Sequence, residues 1–519
     1  MSTNTASVLA LEKAAVGMPA TVRHRFYKNV DFWFCAVIGV LTFVTRVVNL
    51  GNYPRWFTDE GVYVSQAWAV KTLGSLAPYT YWYDHPPGGW IQLAGWFGLT
   101  GALERNGSSS ILAGREFMVV VAMAAAILIY ALARRLGVHG GYAFFAALLY
   151  ILSPLAIAYS RYVLLDNMAI AWTLLAMYLT LNPKRKIASA IVAGLCMAVA
   201  VLTKETALLF VPAVVYIGYF HYRKTSNYVH AVIVSASIFV IAGLMYPLFA
   251  ILKGELLPGP GHVSLLDGQV LFQLANRQGS GSILDPNSSA RLLAEGAWLG
   301  LDKWLPYGGL LGLVPALFVH RLRGSAIALV VPVATLLRGG YLPYPFIIGM
   351  LPFMAILVAG VADAVWRLSW QRRSRAMFAL LLSLSLVVPV GFAIGAGPSW
   401  SRTISHQFTD NPAASQQQAL TWVERQLPRD ATIITEGELW LDVVNRGYTN
   451  AQVLWIYKVD TDPAVRADYT KSGVGYLLLN SETIRSRASY PTVDDLLRHS
   501  EVIATFGEGA NEIKMLKVV

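Results

Sequence analysis

Charge is scarce in this sequence. Asp, Glu, Lys and Arg make up only 14% of its 519 residues, where soluble chains carry about 25%, so an ordinary water-soluble fold is excluded for most of the chain. Cysteine is scarcer still. Cys35 and Cys196 both sit inside apolar runs, which excludes a disulfide framework and any cysteine-based metal spacing. A Walker or dinucleotide glycine motif, an HExxH pair and an internal repeat are absent as well. Hydrophobic residues fill the chain instead, 55% of the total, with a mean hydropathy of +0.49. Repeated apolar runs near the ~20 residues that cross a bilayer make this a polytopic membrane protein.

The net charge of +11 does not point to nucleic acid, because the cations lie in short loops between apolar runs, where they report topology. Arg23, Arg25 and Lys28 precede a first span near 32–50 that is too long for a signal peptide, so it is a retained anchor with its far end outside the cytoplasm. The short, Gly-broken, aromatic stretch 88–103 suits an interfacial helix rather than a span. With that stretch outside, Arg134-Arg135, Lys184-Arg185-Lys186, Arg223-Lys224, Arg321/Arg323 and Arg367/Arg372/Arg373/Arg375 all become cytoplasmic; the other parse exposes every one of them.

About eleven spans result. The expected organisation is a cytoplasmic segment over 1–30, an all-α transmembrane domain over 31–397 and a small α/β domain over 398–519 on the exoplasmic side. Two exoplasmic connections, 51–112 and 253–302, far exceed the usual loop length of about 4–6 residues. The second reads equally as a mobile cover over a site or as a loop resting on the membrane. In the tail, Ala431–Thr435, Val453–Tyr457, Val474–Leu479 and Val502–Phe506 read as strands, and Ala413–Gln426 and Thr492–Arg498 as helices.

The same topology gathers ionisable groups on one face: Asp59 and Glu60, Asp84-His85, Arg161 and Asp166, Lys204-Glu205, and Arg338. Charges in or near hydrocarbon are costly and usually face a polar cavity or a partner. Each also has a plainer reading. Thr58 and the two carboxylates suit the capped start of a helix, Asp84-His85-Pro86-Pro87 a turn, and Arg161 with Asp166 a structural ion pair. Lys204-Glu205 suits the solvated ends of a hairpin, and Tyr79, Tyr81, Trp82 and Tyr83 an interfacial aromatic belt. What these readings leave unexplained is the agreement of all five on one side.

Arg46, Thr58-Asp59-Glu60, Asp84-His85-Pro86-Pro87-Gly88, Arg161 through Asp166, and Leu202-Thr203-Lys204 occur in an order that resembles the GT-C-fold glycosyltransferases dependent on polyprenyl-phosphate sugars. Aminoarabinose transferases of lipid A and protein O-mannosyltransferases are the most similar groups. The resemblance spans roughly 32–220, extends weakly through 338–352 and omits the tail.

It implies a polyprenyl-phosphate sugar donor, a glycan, lipid or protein hydroxyl as acceptor, and an inner or plasma membrane setting with chemistry at the exoplasmic face. Asp59 matches the catalytic first-loop aspartate and Asp166 the second acidic position, with Glu60 beside them. Lys204, Arg338, His85 and Arg161 are the donor-phosphate candidates, and Asp84, Tyr63, Tyr83 and Tyr344 the substrate-binding candidates. Where the aminoarabinose enzymes have Glu-Lys-Pro, this chain has Asp84-His85-Pro86, exchanging a permanent cation for a histidine. The resemblance makes no cofactor certain; Asp84 and His85 leave open a divalent metal, but two ligands are not a site. A protein O-mannosyltransferase, a lipid-linked sugar flippase and a non-catalytic envelope scaffold remain as alternatives.

Overall fold

The computed structural model describes residues 20–184, 186–223, 225–371, 374–462, 465 and 473–519. The polar segment 1–19 and the loop cations Arg185, Lys224, Arg372 and Arg373 lie outside them. Among the described residues, five helices are long and apolar enough to cross a membrane: Asn29–Val47 within α1 (Ala20–Val47), then Ser110–Arg135, Tyr228–Leu252, Tyr344–Trp370 and Arg375–Gly395. Gly140–Leu152 and Pro154–Arg161, bent by 63°, form a sixth if taken as one span, and Ile187–Thr203, Trp304–Phe318 and Arg323–Leu337 are shorter apolar helices. The count therefore differs from eleven where chemistry interrupts hydropathy. Pro154 has no N–H to donate, and the Ser153 hydroxyl restarts the helix by accepting from Ala156 N at 3.3 Å. After Lys204 the apolar chain begins as a 3₁₀ turn, Glu205–Phe210, before turning α-helical over Val211–Tyr222.

Six helices position the site: α1; α2 (Thr58–Thr72); α3 (Gly88–Thr100); α4 (Ser110–Arg135); α5 (Leu165–Thr180); and α6 (Ile187–Thr203). As the sequence suggested, α3 is too short to span. Its 13 residues cover about 20 Å against a hydrocarbon core of about 30 Å, and Gly101 ends it in the left-handed conformation at φ 64°. The start of α2 differs from expectation. Thr58 does not cap it; Phe57 holds the N-cap position, and the Glu60 carboxylate accepts Phe57 N–H at 3.1 Å. Thr58 is free to donate elsewhere because Glu60 has taken over the cap.

After the last span, Ala414–Gln426 packs on a five-stranded sheet of β1 (Ile433–Thr435), β2 (Val453–Trp455), β3 (Tyr476–Asn480), β4 (Ser500–Phe506) and β5 (Ile513–Val518). Strand order is β2-β1-β3-β5-β4, with β2, β1 and β3 parallel and β5 antiparallel to both neighbours. Ile433 pairs with both Val453 and Tyr476. Two short helices, α7 (Gly437–Val444) and α8 (Ile456–Thr461), follow β1 and β2.

This domain is fastened to the first loop. The Gln416 amide both accepts from Trp56 N and donates to Trp56 O, each at 3.0 Å. Thr58 Oγ1 donates to Glu438 at 3.0 Å, and Asp442 accepts Ser110 N at 2.6 Å. Backbones meet where α2 crosses α7: a Cβ on Gly61 would stand 2.2 Å from the Gly437 carbonyl oxygen. Gly61→Ala is therefore expected to force α2 off the domain, destabilising the protein by about 1–3 kcal/mol. A thermal unfolding midpoint equal to that of the parent would rule out this tight seam.

Candidate active site

Asp59 stands in the first turn of α2, partly open to a cleft. Burial raises its pKa above the usual carboxylate value, while Lys204, His85 and Arg277 pull it down and Asp84 adds to the rise. These four groups come from three separate stretches, so the cleft is a product of tertiary packing.

Close backbone approach places two of them. The Leu202 carbonyl oxygen lies 2.5 Å from where a Gly88 Cβ would be, and the Leu165 side chain comes as near to Gly89. Only glycine lets the N-terminus of α3 sit against the ends of α6 and α5. Gln92, one turn later, donates to Thr203 Oγ1 and accepts from Trp172 Nε1, at 2.9 and 2.8 Å. The result sets His85 beside Lys204-Glu205. His85 Nδ1 lies 3.1 Å from Glu205 Oε2, and Lys204 Nζ lies 2.8 Å from His85 Nε2. An ammonium only donates, so Nε2 accepts and Nδ1–H faces the carboxylate.

Asp166 opens α5 and is buried at the same place, with Lys204, Glu205 and His85 the charges nearest to it. Beyond it Ile170, Phe210, Pro332, Phe346 and Gly349 line a small recess of about 20 Å³. Tyr63 lies parallel to Trp90 with ring centres 6.4 Å apart and 6.3 Å from His85. Its surroundings are acidic: Asp59, Asp84, Asp166 and Glu205 all act on it, and with burial they hold its hydroxyl well above the usual phenol range.

Five expected site residues are placed elsewhere. Glu60 is fully buried in a two-pronged pair with Arg115, at 2.9 and 2.8 Å, and also accepts Val163 N at 3.0 Å. It orients α2 and does not face the cleft. Arg161 is equally buried, donating to the Thr45 and Val48 carbonyls at 2.8 Å, and braces the bundle. Tyr83 is enclosed, its hydroxyl donating to Glu255 at 2.6 Å, and ties the two long loops together. Tyr344 belongs to an aromatic cluster, stacked on Tyr159 at 4.9 Å and 5.1 Å from Phe57. Arg338 is exposed at the end of Arg323–Leu337, and among the described residues no ion pair joins it to the cleft.

Other residues enter that motif reading passed over. Arg277, on the second long loop, lies near enough for its charge to lower the Asp59 pKa; its guanidinium donates to Gln273 and sits 3.4 Å from the centre of the Tyr341 ring. That loop folds onto the first: Gly268 lies against the Trp82 carbonyl, and Gln273 donates to Asp84 O at 3.1 Å. From the C-terminal domain, Tyr457 lies near enough to Asp84 and Asp59 for both charges to raise its hydroxyl further after burial has done so. Among the described residues, no group of three or more His, Cys, Asp or Glu side chains is set to hold a metal ion.

Comparison with known proteins bears on this arrangement. Residues 36–249 match the family model of dolichyl-phosphate-mannose-protein mannosyltransferase. No curated protein matches the chain. Among solved structures, ArnT from Cupriavidus metallidurans, bound to undecaprenyl phosphate, is similar with a TM-score of 0.57 at 15% identity, covering 94% of this chain and 98% of that one. The Archaeoglobus fulgidus oligosaccharyltransferase is similar with a TM-score of 0.54 at 12% identity, covering 93% of this chain and 75% of that one. The chain is thus a multi-pass membrane protein of the GT-C glycosyltransferase fold, and Asp59, His85, Asp166 and Lys204 all fall inside the stretch that matches the mannosyltransferase family.

Proposed function

We propose that this protein is an inverting membrane glycosyltransferase, moving a sugar from a polyprenyl-phosphate donor to a hydroxyl of a cell-envelope glycan, lipid or protein at the exoplasmic face. The observation that carries this reading is the convergence of the Asp59 carboxylate with Lys204, His85 and Arg277. An acceptor alcohol is a weak nucleophile, and Asp59 takes its proton as the oxygen attacks the anomeric carbon. The bond to the phosphate breaks on the opposite side of the sugar, which inverts the centre. The departing phosphate already carries its charge well and needs cations, supplied by Lys204 and Arg277.

Asp166 and the His85–Glu205 pair steer Lys204. The match to the mannosyltransferase family over residues 36–249 favours a second reading of the acceptor, a protein hydroxyl, with the same cleft chemistry.

Mass spectrometry of lipid-linked sugars in a deletion strain tests the reading, with one polyprenyl-phosphate sugar expected to accumulate. An unchanged lipid pool, together with no binding of undecaprenyl phosphate by the purified protein, would overturn it. A pH profile gives an independent check. Asp59 works as a base only when ionised, and its pKa is raised, so turnover should fall as pH drops through a value above the ordinary carboxylate range near 3.9. Lys204→Met removes the strongest opposing charge, so it should move that acid limb to still higher pH. A limb that stays in place would dissociate Lys204 from Asp59.

A further inference from the structure

Between Tyr79 and Asp84 the first loop runs as a strap across the C-terminal domain. Tyr79 donates to Val453 O at 2.7 Å, and the Thr80 backbone N–H and hydroxyl both donate to the Asp462 carboxylate, at 3.1 and 3.0 Å. Lys458 of α8 closes the contact. Its ammonium lies 3.9 Å from the centre of the Trp82 ring, 3.7 Å from Asp462 and 3.4 Å from the Thr80 carbonyl oxygen. Lys458 is only 4% exposed, and Asp462 is fully buried. Burying an ammonium is costly unless partners replace its water, and here most of those partners belong to the strap. The next residues along the chain are Asp84 and His85, and His85 is joined to Lys204 and Glu205.

We propose that Lys458 is a positioning residue for the transfer reaction: its charge fixes the Thr80–Trp82 strap on the C-terminal domain and so sets where Asp84 and His85 stand in the cleft. The domain is then a working part of the site rather than an appended module. This rests on reading the cleft as a lipid-phosphate site.

Burial brings the pKa of Lys458 down to about 8, against Asp462 and Asp84, which both raise it. Asp462 and Tyr457 face it from its own helix and Asp84 from the strap; the packed helix Pro491–Arg498 brings Asp494, which is held by Arg487 and Arg498. Because burial holds the Lys458 pKa below the free-lysine value, docking of the strap is not weakened as pH rises through about 8; the ion pair with Asp462 and the contact with Trp82 operate in the protonated form that prevails at neutral pH. Arginine would stay charged throughout.

The test uses the full chain in detergent, with hydrogen exchange of the peptide spanning 76–87 and affinity for undecaprenyl phosphate both measured. Lys458→Met should speed exchange in that peptide at neutral pH and weaken binding about tenfold, as expected for loss of one desolvated cation–π contact. Lys458→Arg, which keeps the charge, should keep both near the parent values. Parent-like exchange in Lys458→Met would overturn the proposal, as would exchange and affinity in Lys458→Arg that match those of Lys458→Met. If the unaltered protein binds no undecaprenyl phosphate, the donor reading falls, while the exchange result still decides whether Lys458 holds the strap.

Discussion

Asp59→Asn is expected to cut sugar transfer by about 10²–10⁴-fold, the usual worth of a positioned general base, while undecaprenyl phosphate still binds. The change is nearly isosteric and removes only the ability to take a proton. Donor affinity should survive because Lys204 and Arg277, the cations assigned to the phosphate, remain; it should even improve modestly, since a like-signed neighbour of the phosphate has been neutralised. Glu60→Gln serves as a comparison with a different signature. It weakens a buried pair with Arg115 and so should lower stability, leaving the proton-transfer step of the folded fraction intact. Transfer by Asp59→Asn at the parent rate, with the protein folded, would remove Asp59 from the chemistry and leave the cleft without a base.

The two adjacent carboxylates show what a sequence can and cannot yield. Motif order pointed to Asp59 and Glu60 together. A helix turns about 100° per residue, so neighbours cannot share one target: Asp59 faces the cleft, and Glu60 turns inward to Arg115. Lys204, His85 and Asp166 were legible because short local motifs and the loop-charge asymmetry put them on one face, and their contacts now join them. Arg161 and Arg338 stand apart from that group for opposite reasons. One cation is satisfied by carbonyls inside the bundle, and the other stays out in the open.

The α/β tail was legible as a class and partly in its elements. Strand β5, with lysines at 514 and 517 interrupting its apolar residues, and helix α7 were not foreseen. The predicted strand Val453–Tyr457 breaks after Trp455, where α8 begins and carries Tyr457 and Lys458 to the first loop. Contacts such as Thr58 with Glu438, or Thr80 with Asp462, join residues more than 370 positions apart. No local pattern encodes such pairings, so the domain's part in the site appears only in three dimensions.

Arg115→Met should be the most damaging single change to the fold, at about 3–5 kcal/mol. The Arg115 and Glu60 side chains are both completely buried, and Arg115 also donates to the Leu50 carbonyl at 2.9 Å. Methionine fills much of the same volume, yet it leaves the Glu60 carboxylate in a low-dielectric interior without its counter-charge. The carboxylate keeps the Phe57 and Val163 N–H groups, too little to replace a bidentate guanidinium. Adding Glu60→Gln to Arg115→Met should recover part of the loss, because a neutral amide still accepts one of those N–H groups and carries no charge to bury. The comparison separates charge from shape: thermal unfolding in detergent should rank the parent first, the double variant second and Arg115→Met last. If Arg115→Met alone unfolds no earlier than the double variant, the ion pair contributes through packing. The orientation of α2, and with it the aim of Asp59, would then depend on the Gly61–Gly437 seam rather than on the buried pair.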